Sequence, residues 1–202
     1  MDIQKFYSEN KPTITAISII VGLSLAIVLR KQLLYAAKLP YKLLTDLKNY
    51  TKIQTLNLSA RPKLSQFVDD IQNILGYKVS INSAYRSVAK QATLAKTISV
   101  ASKGLSTHMF GLAIDLNASK DGKTLGLKTP KAEWEKSMIP SLARKRGIRW
   151  GGDFVGTGYD PVHFDVLPKG INPITSLRDL KSKAEKQFGN SWVNNGNKLN
   201  LI

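Results

Sequence analysis

Residues 106–115, Ser-Thr-His-Met-Phe-Gly-Leu-Ala-Ile-Asp, set an imidazole, His108, and a carboxylate, Asp115, on either side of Gly111. The two halves of this stretch differ in kind. Around His108 the chain is too rich in Gly, Ser and Thr to be a helix interior, whereas Leu112 to Leu116 is a short apolar run that reads as a buried strand. Strand alternation puts Leu112, Ile114 and Leu116 on one face and Ala113 and Asp115 on the other. An Asp inside such a run is a costly buried charge unless it is paired, hydrogen-bonded or bound to a metal. Its small neighbour Ala113 leaves room for an ion, so the stretch reads as half of a metal site carried on a strand.

The other half lies downstream in Tyr159-Asp160-Pro161-Val162-His163-Phe164-Asp165, which holds the second of only two histidines; the chain has no cysteine. A catalytic zinc site takes three protein ligands from imidazole, carboxylate and thiolate and leaves a further position to solvent. Without thiolate, such a site must be built from His108, His163 and a carboxylate, and Asp115 is the best placed. Asp160 precedes Pro161, which favours an extended or turn conformation. It need not bind the metal: a carboxylate close by can act as general base and later return the proton to a leaving amine. Its alternative is a turn former. Asp165 shares a strand face with His163, which suits a hydrogen bond behind the ligand or a substrate contact. Ser106 reads as a hydrogen-bonding support of the loop rather than a nucleophile, since no third histidine exists to activate it.

At this point the residues carry a resemblance. Ser-x-His-x-x-Gly-x-Ala-x-Asp at 106–115 and Asp-x-x-His-Phe-Asp at 160–165 are similar to the zinc peptidases that include D-alanyl-D-alanine carboxypeptidases, vancomycin-resistance D,D-dipeptidases and phage L-alanyl-D-glutamate endolysins. Ser83-Ala84-Tyr85-Arg86-Ser87 upstream and Gly147-Ile148-Arg149-Trp150-Gly151-Gly152-Asp153-Phe154 fit the same pattern in order and spacing. The resemblance spans residues 64–167. It implies zinc ligands His108, Asp115 and His163, Asp160 as catalytic base, Arg86 as the cation facing the scissile carbonyl or its oxyanion, and a peptidoglycan peptide as substrate. The bottom-up alternative for Arg86 is the covering of a helix end. Ligand type and resemblance both favour zinc over manganese or iron.

The expected fold class is α+β: a small antiparallel sheet with flanking helices, similar to the Hedgehog and D-Ala-D-Ala peptidase fold, preceded by an N-terminal transmembrane helix. Residues 1–12 are a short polar start. Thr13 to Leu29 contains 17 residues without a charge, about 25 Å as a helix, and Arg30 and Lys31 can snorkel to extend it. We read 13–31 as a single-pass membrane anchor rather than a cleaved signal, because Asp2 and Glu9 precede the run and no small-residue cleavage site follows promptly. Arg30 to Lys63 carries eight Lys or Arg against one acid, Asp46, which by the positive-inside rule holds the following domain on the cytoplasmic side. A wall peptidase has no substrate there, unless the anchor sits in a virion membrane or the domain is released when the host membrane fails. A viral membrane and a bacterial inner membrane both remain open as the location.

Residues 32–57 read as a basic juxtamembrane linker, either docked on anionic lipid or a solvated spacer. The peptidase domain is expected over 58–168. Its helices are a first one after Pro62 with Leu64, Phe67, Val68, Ile71, Ile74 and Leu75 on its apolar face, a second over Val88–Ser102 capped by Ser87, and a third from Pro130 to Arg146. Its strands are Lys78–Ala84, Leu112–Leu116, Arg149–Trp150 and Val162–Leu167, with a polar loop over Ser119–Lys128. Trp150 is expected in the core or against the metal loop, with substrate stacking as the alternative. Residues 169–202 read as a basic, peripheral tail. The formal charge of +16 predicts attraction to polyanions, whether nucleic acid, anionic lipid or an acidic cell envelope. A catalytically inactive basic membrane or virion protein on the same scaffold, binding nucleic acid or lipid, is the competing reading.

Overall fold

The computed structural model describes residues 41–94, 105–155, 158–167 and 173–201. The expected anchor at 13–31 and most of the expected helix beyond Leu94 lie outside them. Among the described residues no helix is long and apolar enough to cross a membrane. Residues 45–202 form one compact unit.

Its centre is a five-stranded antiparallel sheet in the order β1 (Lys78–Ser83), β2 (Ala113–Lys120), β5 (His163–Asp165), β4 (Arg149–Trp150), with β3 (Lys123–Leu125) paired to the far end of β2. The register decides what shares a face. Asp115 of β2 stands directly opposite His163 of β5 and, across a bulge, Ser83 of β1; Ala113 stands opposite Asp165, which in turn faces Arg149 of β4. Directly opposed residues project to the same side, so all the polar groups gather on one face. Ile81, Ile114, Leu116, Trp150 and Phe164 take the other and are fully buried.

Helix α2 (Arg61–Asn73) covers that apolar face with Leu64, Phe67, Val68 and Ile71, spaced for one helical stripe. Pro62 sits in its first turn, where its missing N–H costs nothing. Phe67 packs against Phe164 with ring centroids 5.1 Å apart. Ile74, expected on the same stripe, falls beyond the helix and is exposed.

Several expectations are corrected. The helix after Ser87 is described only over α3 (Val88–Ala92), where Thr93 Oγ1 bonds back to Lys90 O. The expected third helix is two, α4 (Lys131–Lys136) and α5 (Ile139–Lys145), broken at Met138 in the left-handed region with φ 65°. Pro140 explains the break, since it lacks the N–H that a continuous helix would bond to Lys136 O. The expected loop at 119–128 is instead a β2–β3 hairpin turned by Asp121 (φ 50°) and Gly122 (φ 76°), the positive-φ pair of a type I′ turn.

The two flanks are also not peripheral. Helix α1 (Tyr41–Gln54) lies within the stretch expected as linker, yet Ile53 and Leu56 are buried in the core. Asn49 Nδ2 donates to Val79 O at 2.8 Å while its Oδ1 accepts from Ile81 N at 2.8 Å, so one amide pairs the open edge of β1. The C-terminal stretch forms α6 (Pro173–Phe188) and a short α7 (Trp192–Asn195), and buries Ala184, Trp192 and Leu199. The expected tail is therefore part of the packed domain.

Candidate metal centre

His108 is positioned by a short 3-10 turn, Thr107–Phe110, rather than by the sheet. Ser106 caps it, its Oγ accepting from His108 N at 3.3 Å, and Gly111 closes it in the left-handed conformation at φ 66°. A Cβ at Gly111 would also fall 2.6 Å from Asn57 N, so glycine is demanded on both counts. Arg86 N donates to His108 O at 3.0 Å, tying the turn to the end of β1. Ser106 thus supports the loop.

The ring of His108 is buried, and its Nδ1 lies 2.5 Å from Ala84 O. A carbonyl only accepts, so Nδ1 carries the hydrogen and Nε2 turns its lone pair inward. His163 is ordered from the opposite side: its Nε2 lies 3.1 Å from Asp165 Oδ2 and 3.2 Å from Thr107 Oγ1, which leaves Nδ1 facing inward. Asp165 is fully buried, and its two oxygens take a fork of bonds from Arg149 at 2.8 and 2.7 Å. This makes it the carboxylate behind the imidazole, out of reach of a substrate. Asp115 completes the set. Its Oδ2 accepts from Arg86, whose Nε and Nη1 donate to Ser83 Oγ (2.6 Å) and Gln91 Oε1 (3.1 Å), and its Oδ1 is left for the centre.

The three inward atoms meet. His108 Nε2 is 3.0 Å from Asp115 Oδ1 and 3.2 Å from His163 Nδ1, and the last two are 3.1 Å apart. A tetrahedral zinc ion with bonds of about 2.05 Å separates its ligand atoms by about 3.3 Å. The donor set fits such an ion in type, spacing and the hydrogen bonds behind each ring. Three lone-pair atoms at this separation repel one another unless a cation or a proton lies among them.

The charges show the same demand. Burial opposes a charged ring at His163, but its hydrogen bonds to the carboxylates of Asp115 and Asp165 outweigh it and push its pKa up to about 10. For His108 burial wins over the pull of Asp115, and the pKa falls. Burial would raise Asp115, yet the two imidazoles hold its carboxyl well below the usual range. Asp165 likewise resists its burial through Arg149 and His163 and stays at about 2.

Asp160 behaves in the opposite way. Burial raises its pKa, partly countered by His163, and the charges of Asp115, His108 and Arg86 also bear on it, which places it beside the cluster. Its backbone is pinned by Asp160 N to Gly151 O and His163 N to Asp160 O, both 3.2 Å. A Cβ at Gly151 would lie 2.1 Å from Asp160 O. Its carboxylate has no hydrogen bond or ion pair among the described residues. Trp150 is buried, donates from Nε1 to Pro161 O at 2.8 Å and packs on Trp134, so it is a core residue rather than a stacking surface.

Sequence reasoning missed Arg149, although it stands in the quoted 147–154 motif; the strand pairing that sets it opposite Asp165 was the absent signal. Thr107 and Gln91 were missed too, being common polar types with no distinctive spacing.

Residues 100–166 match the model of the family described as D-alanyl-D-alanine carboxypeptidase. No curated protein matches the chain. Among solved structures, the L-Ala D-Glu endopeptidase ChiX of Serratia marcescens is 19% identical with a TM-score of 0.45, covering 59% of this chain and 86% of that one. The vancomycin resistance D,D-pentapeptidase VanY of a VanB-type resistance cassette, solved with Zn(II), is 19% identical with a TM-score of 0.40, covering 63% and 78%. The family match runs from just ahead of His108 to just past His163 and takes in Asp115 and Asp160 as well, so over this segment the chain is similar to the family described as D-alanyl-D-alanine carboxypeptidase.

Proposed function

We propose that this chain is a zinc-dependent peptidase that hydrolyses an amide in the peptide part of peptidoglycan, either an L-alanyl-D-glutamate or a D-alanyl-D-alanine bond. The observation that carries it is the meeting of His108 Nε2, Asp115 Oδ1 and His163 Nδ1, three ligand atoms within 4.8 Å of one another. An ion held there would supply a Lewis acid that polarises the scissile carbonyl and lowers the pKa of a water to about 7.

The chain's own groups do the rest. Asp160 takes a proton from the attacking water and delivers it to the leaving amine nitrogen; its raised pKa narrows the gap between the two transfers. Arg86 fixes Asp115 through Oδ2 and so decides which oxygen faces the centre. Its remaining N–H hydrogens are the donors for a developing oxyanion. Asp165 and Thr107 hold the His163 ring in the orientation that turns Nδ1 inward.

We further propose that residues 13–31 anchor the domain in a bacterial inner membrane or a virion membrane, on the strength of the uncharged run alone. The phage setting rests on the resemblance. The competing reading, an inactive basic protein that binds nucleic acid or lipid, predicts salt-sensitive DNA binding and no wall hydrolysis. The complete ligand set argues against it.

The test is digestion of purified peptidoglycan by the full chain, with chelator and with zinc restored. Chelator is expected to abolish release of peptide fragments and zinc to recover it. Asp160→Asn is expected to keep its zinc and lose about 10²- to 10⁴-fold in rate. Full activity in that variant would remove Asp160 from the role of base, and digestion indifferent to chelator would remove the metal.

A further inference from the structure

We infer that the C-terminal segment 189–199 is a positioning element for His108: it clamps the 3-10 turn that carries this ligand, although it lies outside the residues matched by the family model. The inference rests on the metal-binding reading above.

His108 comes from a turn, so its ring is only as well placed as Thr107–Phe110. Two residues of that turn are held by the C-terminal segment. The ring of Phe110 stacks on Trp192 at 6.1 Å with the planes 10° apart. Gly196 lies so close to Met109 that a Cβ there would sit 2.1 Å from Met109 O. Gly196 has ordinary helical dihedrals, φ −56° and ψ −32°, so the only demand for glycine is this approach to the turn. Loss of Trp192 removes a stacked aromatic, and a methyl at Gly196 drives the peptide next to His108 away.

The segment is in turn fastened to the body of the domain by Asn57, which is buried. Asn57 Nδ2 donates to Asn197 O at 3.0 Å and Leu199 O at 2.8 Å, while Asn57 N donates to Gly111 O at 3.0 Å. Asn197 Nδ2 donates back to Thr55 O at 2.8 Å. One residue thus ties the end of the His108 turn and the C-terminal segment to the same point. No comparable contact reaches His163 from this segment among the described residues; that ligand stands on the sheet.

The discriminating measurement is metal affinity in the full chain, read by zinc titration and by the visible absorption of bound Co²⁺, beside the thermal unfolding midpoint. Trp192→Ala and Gly196→Ala are each expected to raise the zinc Kd about tenfold or more, the scale of losses when groups behind a ligand are disturbed, and to change the Co²⁺ spectrum. Trp192→Phe keeps the stack on Phe110 and is expected to restore both. Leu125→Ala, a core change on β3, is expected to lower the unfolding midpoint while leaving zinc Kd and spectrum as in the parent. Should Trp192→Ala and Gly196→Ala fold and bind zinc with unchanged Kd and spectrum, the segment is merely structural and the inference fails. If the parent chain itself takes up neither Zn²⁺ nor Co²⁺, the metal-centre reading fails, a result distinct from the first, and this inference falls with it.

Discussion

His108 and His163 reach one point by opposite routes. His163 sits mid-sheet on β5, backed by a buried carboxylate that is itself forked to Arg149, and electrostatics raise its pKa to about 10. His108 sits on a capped turn, backed by a neutral carbonyl, and burial lowers its pKa. The first ligand is held by charge and the second by packing. Without a cation, the proton that stands in for it belongs to His163, so the two rings are unequal before any ion arrives.

The largest break in this comparison comes from Asp115, whose Oδ1 lies within hydrogen-bond distance of both rings. Asp115→Ala is expected to lose metal binding altogether and to strand Arg86, costing about 3–5 kcal/mol in chemical denaturation, as when one partner of a buried pair is removed. An unfolding free energy equal to the parent's would show that Ser83 and Gln91 are enough to hold Arg86 without its carboxylate.

Gly151→Ala sharpens the strand side. The added methyl would displace Asp160 O, and a misplacement of about 1 Å is enough to cost about 100-fold in rate. Metal affinity should change far less than kcat; equal losses in both would mean that His163 moves with Asp160.

Asp165→Asn tests the charge behind His163. Zinc affinity is expected to fall about 10- to 100-fold. The folded pKa of Asp165, about 2 against 3.8 for the free group, is depressed. Its stabilising contribution is therefore fully present above about pH 4 and lost as pH falls through about 2. In the metal-free protein, the stability difference between parent and variant should shrink over that window; a gap independent of pH would assign the effect to packing.

The smallest effect is on the turn side. Ser106→Ala removes the cap and is expected to cost about 1 kcal/mol, with zinc affinity lowered less than by Asp165→Asn. A larger loss than Asp165→Asn would invert the contrast between the ligands.

How much of this was legible in the sequence follows from the range of each interaction. The alternation in 112–116 and the restriction to two histidines and no cysteine made the candidate ligand residues readable, because residue type and local period were enough, whereas which atom of each faces the centre is set by the hydrogen bonds behind it. The Asp121-Gly122 hairpin and the break before Pro140 were also written locally, and were overlooked rather than hidden. Helix α1 and the C-terminal segment were misjudged for a physical reason: they join the domain through a few scattered apolar side chains, such as Ile53 and Trp192, and through single amides, Asn49 to β1 and Asn57 to Asn197 and Leu199, while composition shows only basic, polar stretches there. Arg149 was hidden in the same way, since its partner is chosen by register.

The amide of Asn49 has one more consequence. An unpaired strand margin invites a neighbouring chain to add on, and β1 would offer such a margin. With Val79 O and Ile81 N already occupied by one side chain, and Lys52 laid across Ile81 O and Asn82 O, copies crowded together find those positions of the β1 margin already taken and cannot use them to extend the sheet from one molecule to the next.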